Sequence, residues 1–187
     1  MRLAPARTSP RAPRTPPRAP REAQGGQSLV EFALILTPLM LMLLAIVQFG
    51  FIFNSYVTIT NATREAARSG TIVLYDGDLS KAQNDLARNE AIRASLLASM
   101  NLLSKTSPQF TSSGTWSQSG LAFTTGDLTV TYEIPASVTD SDPRTGQRIT
   151  VRVTYHQDLV IPLIANLLPK DANGRLGLAS EVTMVIN

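Results

Sequence analysis

The residue with the clearest chemical potential in this sequence is Glu31, a carboxylate near the start of a long apolar run. It stands four residues after Gln27, which follows Gly26, and Phe32 comes directly after it. An ionised carboxylate is costly in lipid, so an acid in such a run usually has a function and a partner. A simpler alternative is that Glu31 lies at the membrane interface near a helix N-terminus, where the helix dipole favours a carboxylate.

No other group of residues predicts catalysis or a metal site. His156 is the only histidine, and neither a nucleophile–base spacing nor a metal-ligand spacing surrounds it. The pairs Asp76 with Asp78 and Asp140 with Asp142 stand among turn residues and lack the ligand count of a known calcium loop. Cysteine is absent, which excludes a disulfide framework and a thiolate metal site. We therefore expect a protein that is not an enzyme and that uses no cofactor or metal.

Residues 1–26 form a basic, proline-rich head. They hold six arginines against one acid, Glu22, whereas the rest of the chain holds 11 basic and 13 acidic residues. The positive net charge therefore belongs to the head, and the remainder gives no argument for binding nucleic acid. Positive charge just before an apolar segment keeps that end of a membrane protein in the cytoplasm. We expect the head to be a topology signal and a cleaved leader; a free polyproline ligand or nucleic-acid-binding arm is the alternative.

The element that must position the carboxylate is a membrane-length helix. The apolar run covers about residues 29–53, and ~20 such residues span a bilayer core of ~30 Å. Pro38 removes one helical hydrogen bond within this run, and the Thr37 hydroxyl or a neighbouring helix can satisfy the freed carbonyl. The helix-forming residues that follow end at Gly70, a natural C-cap. The sequence predicts one helix over 27–70, with its first half in lipid and its second half beyond it.

Two arginines, Arg64 and Arg68, stand near the end of this predicted helix. They are either solvated charges on an exposed surface or contacts to the globular domain or to a neighbouring subunit. Arg68 also suits the negative end of the helix dipole. Both are therefore candidate subunit contacts.

Residues 71–187 predict one small extracytoplasmic α+β domain with an antiparallel sheet and one packed helix. That helix is predicted over 79–103, with an imperfect apolar stripe that includes Leu86. A short strand is predicted near 121–123, and three longer strands follow, in which apolar and polar residues alternate. Their inward-facing residues are Leu128, Val130, Tyr132 and Ile134; Ile149, Val151, Val153 and Tyr155; and Leu178, Val182, Met184 and Ile186. The apolar face of this sheet needs a cover, which the 79–103 helix or the end of the long helix can provide.

The segment 159–169 fits neither a helix nor a strand. It is apolar, is cut by Pro162 and Pro169, and is too short to span a membrane. One interpretation is a buried crossover within the domain. The other is an apolar loop that rests on the membrane surface or on another subunit.

The chain resembles the TadE-like proteins, minor pseudopilins of the tight-adherence (Tad) secretion and pilus-assembly system. The resemblance is closest over residues 26–70. It comprises a glycine, four further residues and then Glu31-Phe32, which is the processing pattern of type IV prepilins, between a basic leader and a long apolar helix. Gln48-Phe49-Gly50 belongs to it too. The run from Asn61 to Arg68 looks like the family's Ala-Ala-Arg-Glu-Gly-Ala-Arg ending. Phe32 stands where many relatives have tyrosine.

The resemblance implies that a prepilin peptidase of the inner membrane cuts between Gly26 and Gln27 on the cytoplasmic side. Glycine suits such a site because it lets the chain lie extended and close to the protease. Gln27 would then carry a free α-amine one helical turn from Glu31. In pilin-like assemblies such a glutamate is thought to neutralise the amine of an adjacent subunit, at a place in lipid where two separate charges are costly.

The resemblance also implies partners and a location. The partners are the prepilin peptidase, other pilins or pseudopilins, the Tad inner-membrane machinery and the lipid bilayer. The expected location is the bacterial inner membrane, crossed once, with the N-terminus in the cytoplasm and the C-terminal domain in the periplasm. The alternative function is an uncleaved, signal-anchored extracytoplasmic binding module unrelated to filaments.

Overall fold

A computed structural model describes residues 24–139 and 143–187. Most of the predicted leader and the Asp140–Asp142 pair lie outside these residues. The first element is helix α1, Gln24–Thr71, which confirms the predicted long helix. Within the described residues it is the one helix long and apolar enough to cross a membrane.

Helix α1 continues through Pro38. The Thr37 hydroxyl donates to the Ala33 carbonyl at 2.9 Å. The carbonyl that Pro38 leaves without an N–H donor is that of Leu34, four residues before it. The Thr37 hydroxyl therefore donates to a different carbonyl from the one that Pro38 frees.

The chain divides into two compact units. One extends to Leu41, and the other comprises Met42–Asn187. The division falls inside helix α1, so the part of this helix from Met42 onward belongs to the same compact unit as the sheet.

Helix α2, Lys81–Ser99, is the predicted second helix. It begins with a capping box, in which the Ser80 hydroxyl accepts from the Gln83 backbone N–H and the Gln83 side chain accepts from the Ser80 N–H. Its fully buried apolar residues are Ile92 and Leu96. Met100, which directly follows its end, is also fully buried. The predicted inward position of Leu86 is wrong: this side chain is half-exposed, because the first turns of α2 bury the polar side chains Asn84, Asp85, Arg88 and Asn89 instead.

The sheet is a five-stranded antiparallel meander in the order β1-β2-β3-β4-β5, which confirms the α+β class. Its strands are β1 Ser117–Ser119, β2 Ala122–Thr125, β3 Leu128–Glu133, β4 Arg148–Gln157 and β5 Leu176–Val185. A one-turn helix, α3, covers Pro162–Ala165 between β4 and β5. Strand β3 ends before Ile134, which lies half-buried in the loop that follows.

The core lies between one face of this sheet and two helices. Val151 of β4 pairs with Val130 of β3 and with Val182 of β5, so the predicted apolar sets form one continuous face. Helix α1 contributes Ile59, Ala62, Ala66 and Ala67 to this core, and α2 contributes the three apolar residues named above. Both predicted covers are therefore used.

Candidate processing and assembly site

The predicted cleavage site, Gly26–Gln27, lies in the first turn of helix α1. The first four N–H groups of a helix have no intrahelical acceptor, and a glycine weakens a helix by ~1 kcal/mol relative to alanine. Apart from its chain neighbours and the local helix backbone, no described residue has an atom within 4 Å of the position that a Cβ on Gly26 would take. The bond is thus helical rather than extended as expected for a protease substrate, but it lies in the turn that unwinds most readily.

Glu31 lies one turn further along the same side of the helix. Its Oε1 accepts a hydrogen bond from the Gln27 side-chain amide at 3.0 Å, and both side chains are exposed. Phe32 is exposed beside it. Residues 32–63 contain no charged side chain. The arrangement is a carboxylate on an otherwise apolar surface, held by a neutral amide, and its chemistry suits a cation that approaches from outside.

The run that ends helix α1 divides between two faces. Its small residues Ala62, Thr63, Ala66 and Ala67 are buried in the core unit. Arg64 and Arg68 are both exposed, and Arg68 Nη1 lies 3.9 Å from Glu65 Oε2 on the same helix, with both side chains largely in solvent. The contact with the globular domain is therefore made by the small residues, and the two arginines face outward.

Gly70 completes the buried face. A Cβ on this residue would lie 2.7 Å from Ile92 Cδ1 and 3.1 Å from Ile149 Cδ1. These distances are below van der Waals contact, so a side chain here requires the Ile92 and Ile149 side chains to shift. The predicted C-cap glycine thus acts in packing, and α1 ends one residue later, at Thr71.

Two polar residues of α1 that bind the domain were not predicted. Gln48 is fully buried, and its Oε1 accepts from the backbone N–H groups of Val160 and Ile161 at 2.9 and 3.1 Å. The Ser55 hydroxyl donates to the Gln157 side-chain oxygen. A polar side chain within a membrane-length apolar run was the available signal for Gln48, because such residues usually have a partner.

A buried charged network was also missed. Arg144 binds Asp85 of α2 through two hydrogen bonds, Nε to Oδ1 at 2.6 Å and Nη2 to Oδ2 at 2.8 Å. Its guanidinium lies 4.5 Å from the centre of the Tyr132 ring, and the Tyr132 hydroxyl donates to Asn89 Oδ1 at 2.8 Å. Burial raises the pKa of the Tyr132 phenol far above its ordinary value, and the Asp85 carboxylate adds to this. Arg144 follows shortly after the Asp140–Asp142 pair, which stands among turn residues, yet its side chain is buried.

His156 lies between two carboxylates that the sequence did not bring together. Its Nδ1 is 2.7 Å from Asp171 Oδ2 and its Nε2 is 3.3 Å from Asp127 Oδ1. The Arg175 backbone N–H, together with His156, holds the pKa of Asp171 below its ordinary value. These contacts join β4, the β2–β3 turn and the β4–β5 connection. Over the ranges 24–139 and 143–187, no group of three or more histidine or acidic residues is placed to hold a metal ion.

The other aspartate pair considered for calcium serves a turn. Asp76 Oδ1 accepts from the Asp78 backbone N–H at 3.0 Å. Such a side-chain-to-backbone bond is the usual reason for an aspartate in a turn.

Comparison with known proteins bears on helix α1. The family model of the TadE-like proteins matches residues 26–68. Searches of curated proteins and of solved structures found no match. The matched segment begins at Gly26, contains Glu31 and Gln48, and ends at Arg68, so it coincides with the helix that carries the features described above. The chain is thus similar to the TadE-like proteins over residues 26–68, and this similarity lies within helix α1.

Proposed function

We propose that this protein is a pseudopilin-like component of Tad pilus assembly, processed by a prepilin peptidase between Gly26 and Gln27. The family match supports involvement in the Tad system. The observation that carries the finer proposal is Glu31, an exposed carboxylate on an apolar helix surface whose hydrogen-bond donor is the neutral amide of Gln27. An ionised carboxylate on such a surface is energetically costly in lipid until a cation pairs with it.

Cleavage would create that cation. It would leave Gln27 with a free α-amine, and each chain would then carry one amine and one carboxylate four residues apart. The contact between the Gln27 and Glu31 side chains indicates that the two positions face the same side of the helix. Pairing the amine of one subunit with Glu31 of the next removes two isolated charges from lipid at once, and it sets the axial register between subunits.

The remaining roles follow from this proposal. Helix α1 anchors the chain in the inner membrane, with the basic head in the cytoplasm and the sheet on the periplasmic side. The partners are the peptidase, other pilins or pseudopilins and the Tad inner-membrane machinery. The function is not enzymatic and needs no cofactor, and His156 with its two aspartates links strands and loops of the domain.

The experiment that tests processing is mass spectrometry of the N-terminus of the full chain in bacterial membranes, with and without a co-expressed prepilin peptidase. We expect a new N-terminus at Gln27 that requires the peptidase, and its loss in Gly26→Ala. Because the space around Gly26 is open, this variant does not clash with the fold. Gly25→Ala is the matched control, because it raises the helix propensity of the same turn and leaves the residue before the cut unchanged. An intact head in the presence of an active peptidase would overturn the proposal in favour of the uncleaved anchor.

A second experiment tests the role of Glu31 separately. An apolar carbodiimide joins a carboxylate directly to a neighbouring amine, so a processed assembly should yield a cross-link between the Gln27 α-amine of one chain and Glu31 of another. Glu31→Gln should be processed normally and should lose this cross-link. A processed protein without the cross-link, or with one that survives in Glu31→Gln, would refute amine–carboxylate pairing.

A further inference from the structure

We infer that the β4–β5 connection is a membrane-interface loop, which places apolar side chains among the lipid headgroups beside the protein's own anchor. This inference rests on the membrane-anchor part of the proposed function. It does not depend on processing or on the pilus. The partner is the surface of the bilayer that helix α1 enters.

The first observation is the exposure of the loop. Val160, Leu163 and Leu167 are 65%, 53% and 80% exposed. Ile164 and Ala165 between them are buried, so α3 packs against the protein with one side, while Leu163 within it and Leu167 after it are exposed. Clustered exposed apolar side chains on an ordered loop indicate an interaction surface.

The second observation is the level at which the loop is held. Gln48 of α1 binds the backbone of Val160 and Ile161 through its buried side-chain oxygen. The segment Leu29–Gln48 is as long as the ~20 residues that cross a bilayer core of ~30 Å. The loop is therefore attached where a span that begins at Leu29 leaves the hydrocarbon.

The surface of α1 beyond this level has the composition of a membrane interface. Phe49, Phe51 and Phe53 are exposed, and exposed Tyr56 follows them. A tyrosine with an apolar body and a polar hydroxyl is typical of the headgroup region. A loop attached at Gln48 thus lies within the ~5–10 Å depth that interfacial segments reach.

The charges next to the loop also suit a lipid surface. The acids that would repel anionic headgroups have partners in the chain: Asp158 Oδ1 accepts from Arg175 Nε at 2.7 Å, and Asp171 contacts His156. Lys170 at the end of the loop is exposed, and its ammonium donates to Asn166 at 3.2 Å. An exposed lysine at this point adds attraction to anionic lipid.

The absence of cysteine allows a direct test with single-cysteine variants of the full chain. Leu167→Cys, carrying an environment-sensitive fluorophore, is reconstituted into vesicles of phosphatidylcholine and phosphatidylglycerol at low protein density. Emission is quenched either by spin-labelled lipids or by aqueous iodide. Leu74→Cys is the matched control: Leu74 is 89% exposed and follows Thr71, ~35 Å further along α1 than Gln48 at the rise of an α-helix. Ile35→Cys, within the apolar run, reports whether the anchor itself is in lipid.

We expect the Leu167 label to lose emission to lipids spin-labelled near the headgroup and to be protected from iodide, and the Leu74 label to show the reverse. Iodide access at Leu167 equal to that at Leu74 would overturn the inference, and lipid quenching at Ile35 would show that the anchor still stands. Protection that disappears on dilution of protein in lipid would mean that a second copy covers the loop, and it would also overturn the inference. Absence of lipid quenching at Ile35 would overturn both the anchor and the loop proposal. The processing experiment reads the N-terminus and is independent of all these results.

Discussion

Two carboxylates of this molecule, Glu31 and Asp85, have opposite surroundings. Asp85 is buried in the domain and accepts two hydrogen bonds from Arg144. Its Oδ1 also lies 3.9 Å from Arg88 Nη1. Glu31 lies on the exposed apolar surface of α1, and its donor there is the neutral Gln27 amide. Asp85, which has cationic partners, belongs to the interior of the fold, and Glu31, which has no cationic partner among the described residues, is the acid that we propose a second subunit pairs with.

The rest of helix α1 follows the same division. In the unit that ends at Leu41 the large side chains such as Leu34 and Ile35 are exposed, whereas from Ile59 to Ala67 the helix shares a core with the sheet. A side chain of the first kind contributes to the free energy of unfolding only through lipid or a neighbour. One of the second kind contributes within the isolated chain. This contrast predicts which substitutions lower the free energy of unfolding of the monomer.

The largest expected effect is at the two carboxylates. Asp85→Asn removes the charge that binds Arg144 and should lower the free energy of unfolding by ~3–5 kcal/mol, the usual cost of breaking a buried ion pair from one side. Glu31→Gln should change it by less than ~0.5 kcal/mol, as for exposed positions generally. Denaturation of the full chain in detergent measures both through the fluorescence of the only tryptophan, Trp116, which packs on the core and donates to Glu90 of α2. Equal losses in the two variants would contradict the comparison.

The next effect concerns two isoleucines of the same helix. Ile59→Ala should cost ~2–5 kcal/mol, because Ile59 is fully buried in the core and its loss leaves a cavity. Ile35→Ala should cost less than ~0.5 kcal/mol in detergent, because Ile35 is 69% exposed. The same tryptophan-monitored denaturation tests the pair. A large loss for Ile35→Ala would mean that the first part of the helix packs within the monomer.

A smaller effect is expected at two glycines of α1. Gly70→Ala should destabilise by ~1–3 kcal/mol, because the added Cβ collides with Ile92 and Ile149. Gly50→Ala meets no atom within 4 Å and should be neutral or stabilise by up to ~1 kcal/mol through helix propensity. Thermal midpoints of the two variants, followed at Trp116, should move in opposite directions or differ clearly. Similar midpoints would show that α2 and β4 shift to accept the methyl group.

The sequence predicted the elements whose pattern is local. Strands β3, β4 and β5 were found because burial of one sheet face enforces alternation in each strand separately, and α1 was found because its apolar run is continuous. Strand β1 was missed because all three of its residues are exposed, so that no apolar alternation marks it. Leu86 was misplaced because it was assigned to the apolar stripe of α2, whereas the first turns of this helix bury polar and charged side chains instead.

The candidate site shows the same limit. Gly26, Gln27 and Glu31 could be proposed from the sequence because their pattern fits within six residues. The partner of Gln48 was not found, since it is a backbone N–H group 112 residues away in the chain, and backbone donors leave no mark in a sequence. Arg144 is 59 residues from Asp85 and stands in a stretch whose composition indicates a turn, so only the fold brings the two together.

The smallest expected effect is a pH dependence confined to the domain, and it extends the comparison to a third carboxylate. The pKa of Asp171 is held below its ordinary 3.8 by the Arg175 N–H and by His156. A lowered folded-state pKa means that the ionised form is preferred by the fold. The stability that ionised Asp171 contributes is therefore fully present above the pKa that it has in the unfolded chain. It is lost as the pH falls through the lower pKa that it has in the folded chain.

Asp171→Asn should for this reason be less stable than the parent chain at neutral pH, and the difference should shrink as the pH is lowered through 3.8 and below. Thermal midpoints at Trp116 over this range measure the difference. Ile35→Ala is the control, because it removes no titratable group from an exposed position and should give a small midpoint difference from the parent that does not change with pH. A difference for Asp171→Asn that stays constant with pH would assign the role of Asp171 to hydrogen-bond geometry. In that case the charge of Asp171 would contribute as little to the stability of the monomer as that of Glu31. Of the three carboxylates compared, only Asp85 would then stabilise the monomer through its charge.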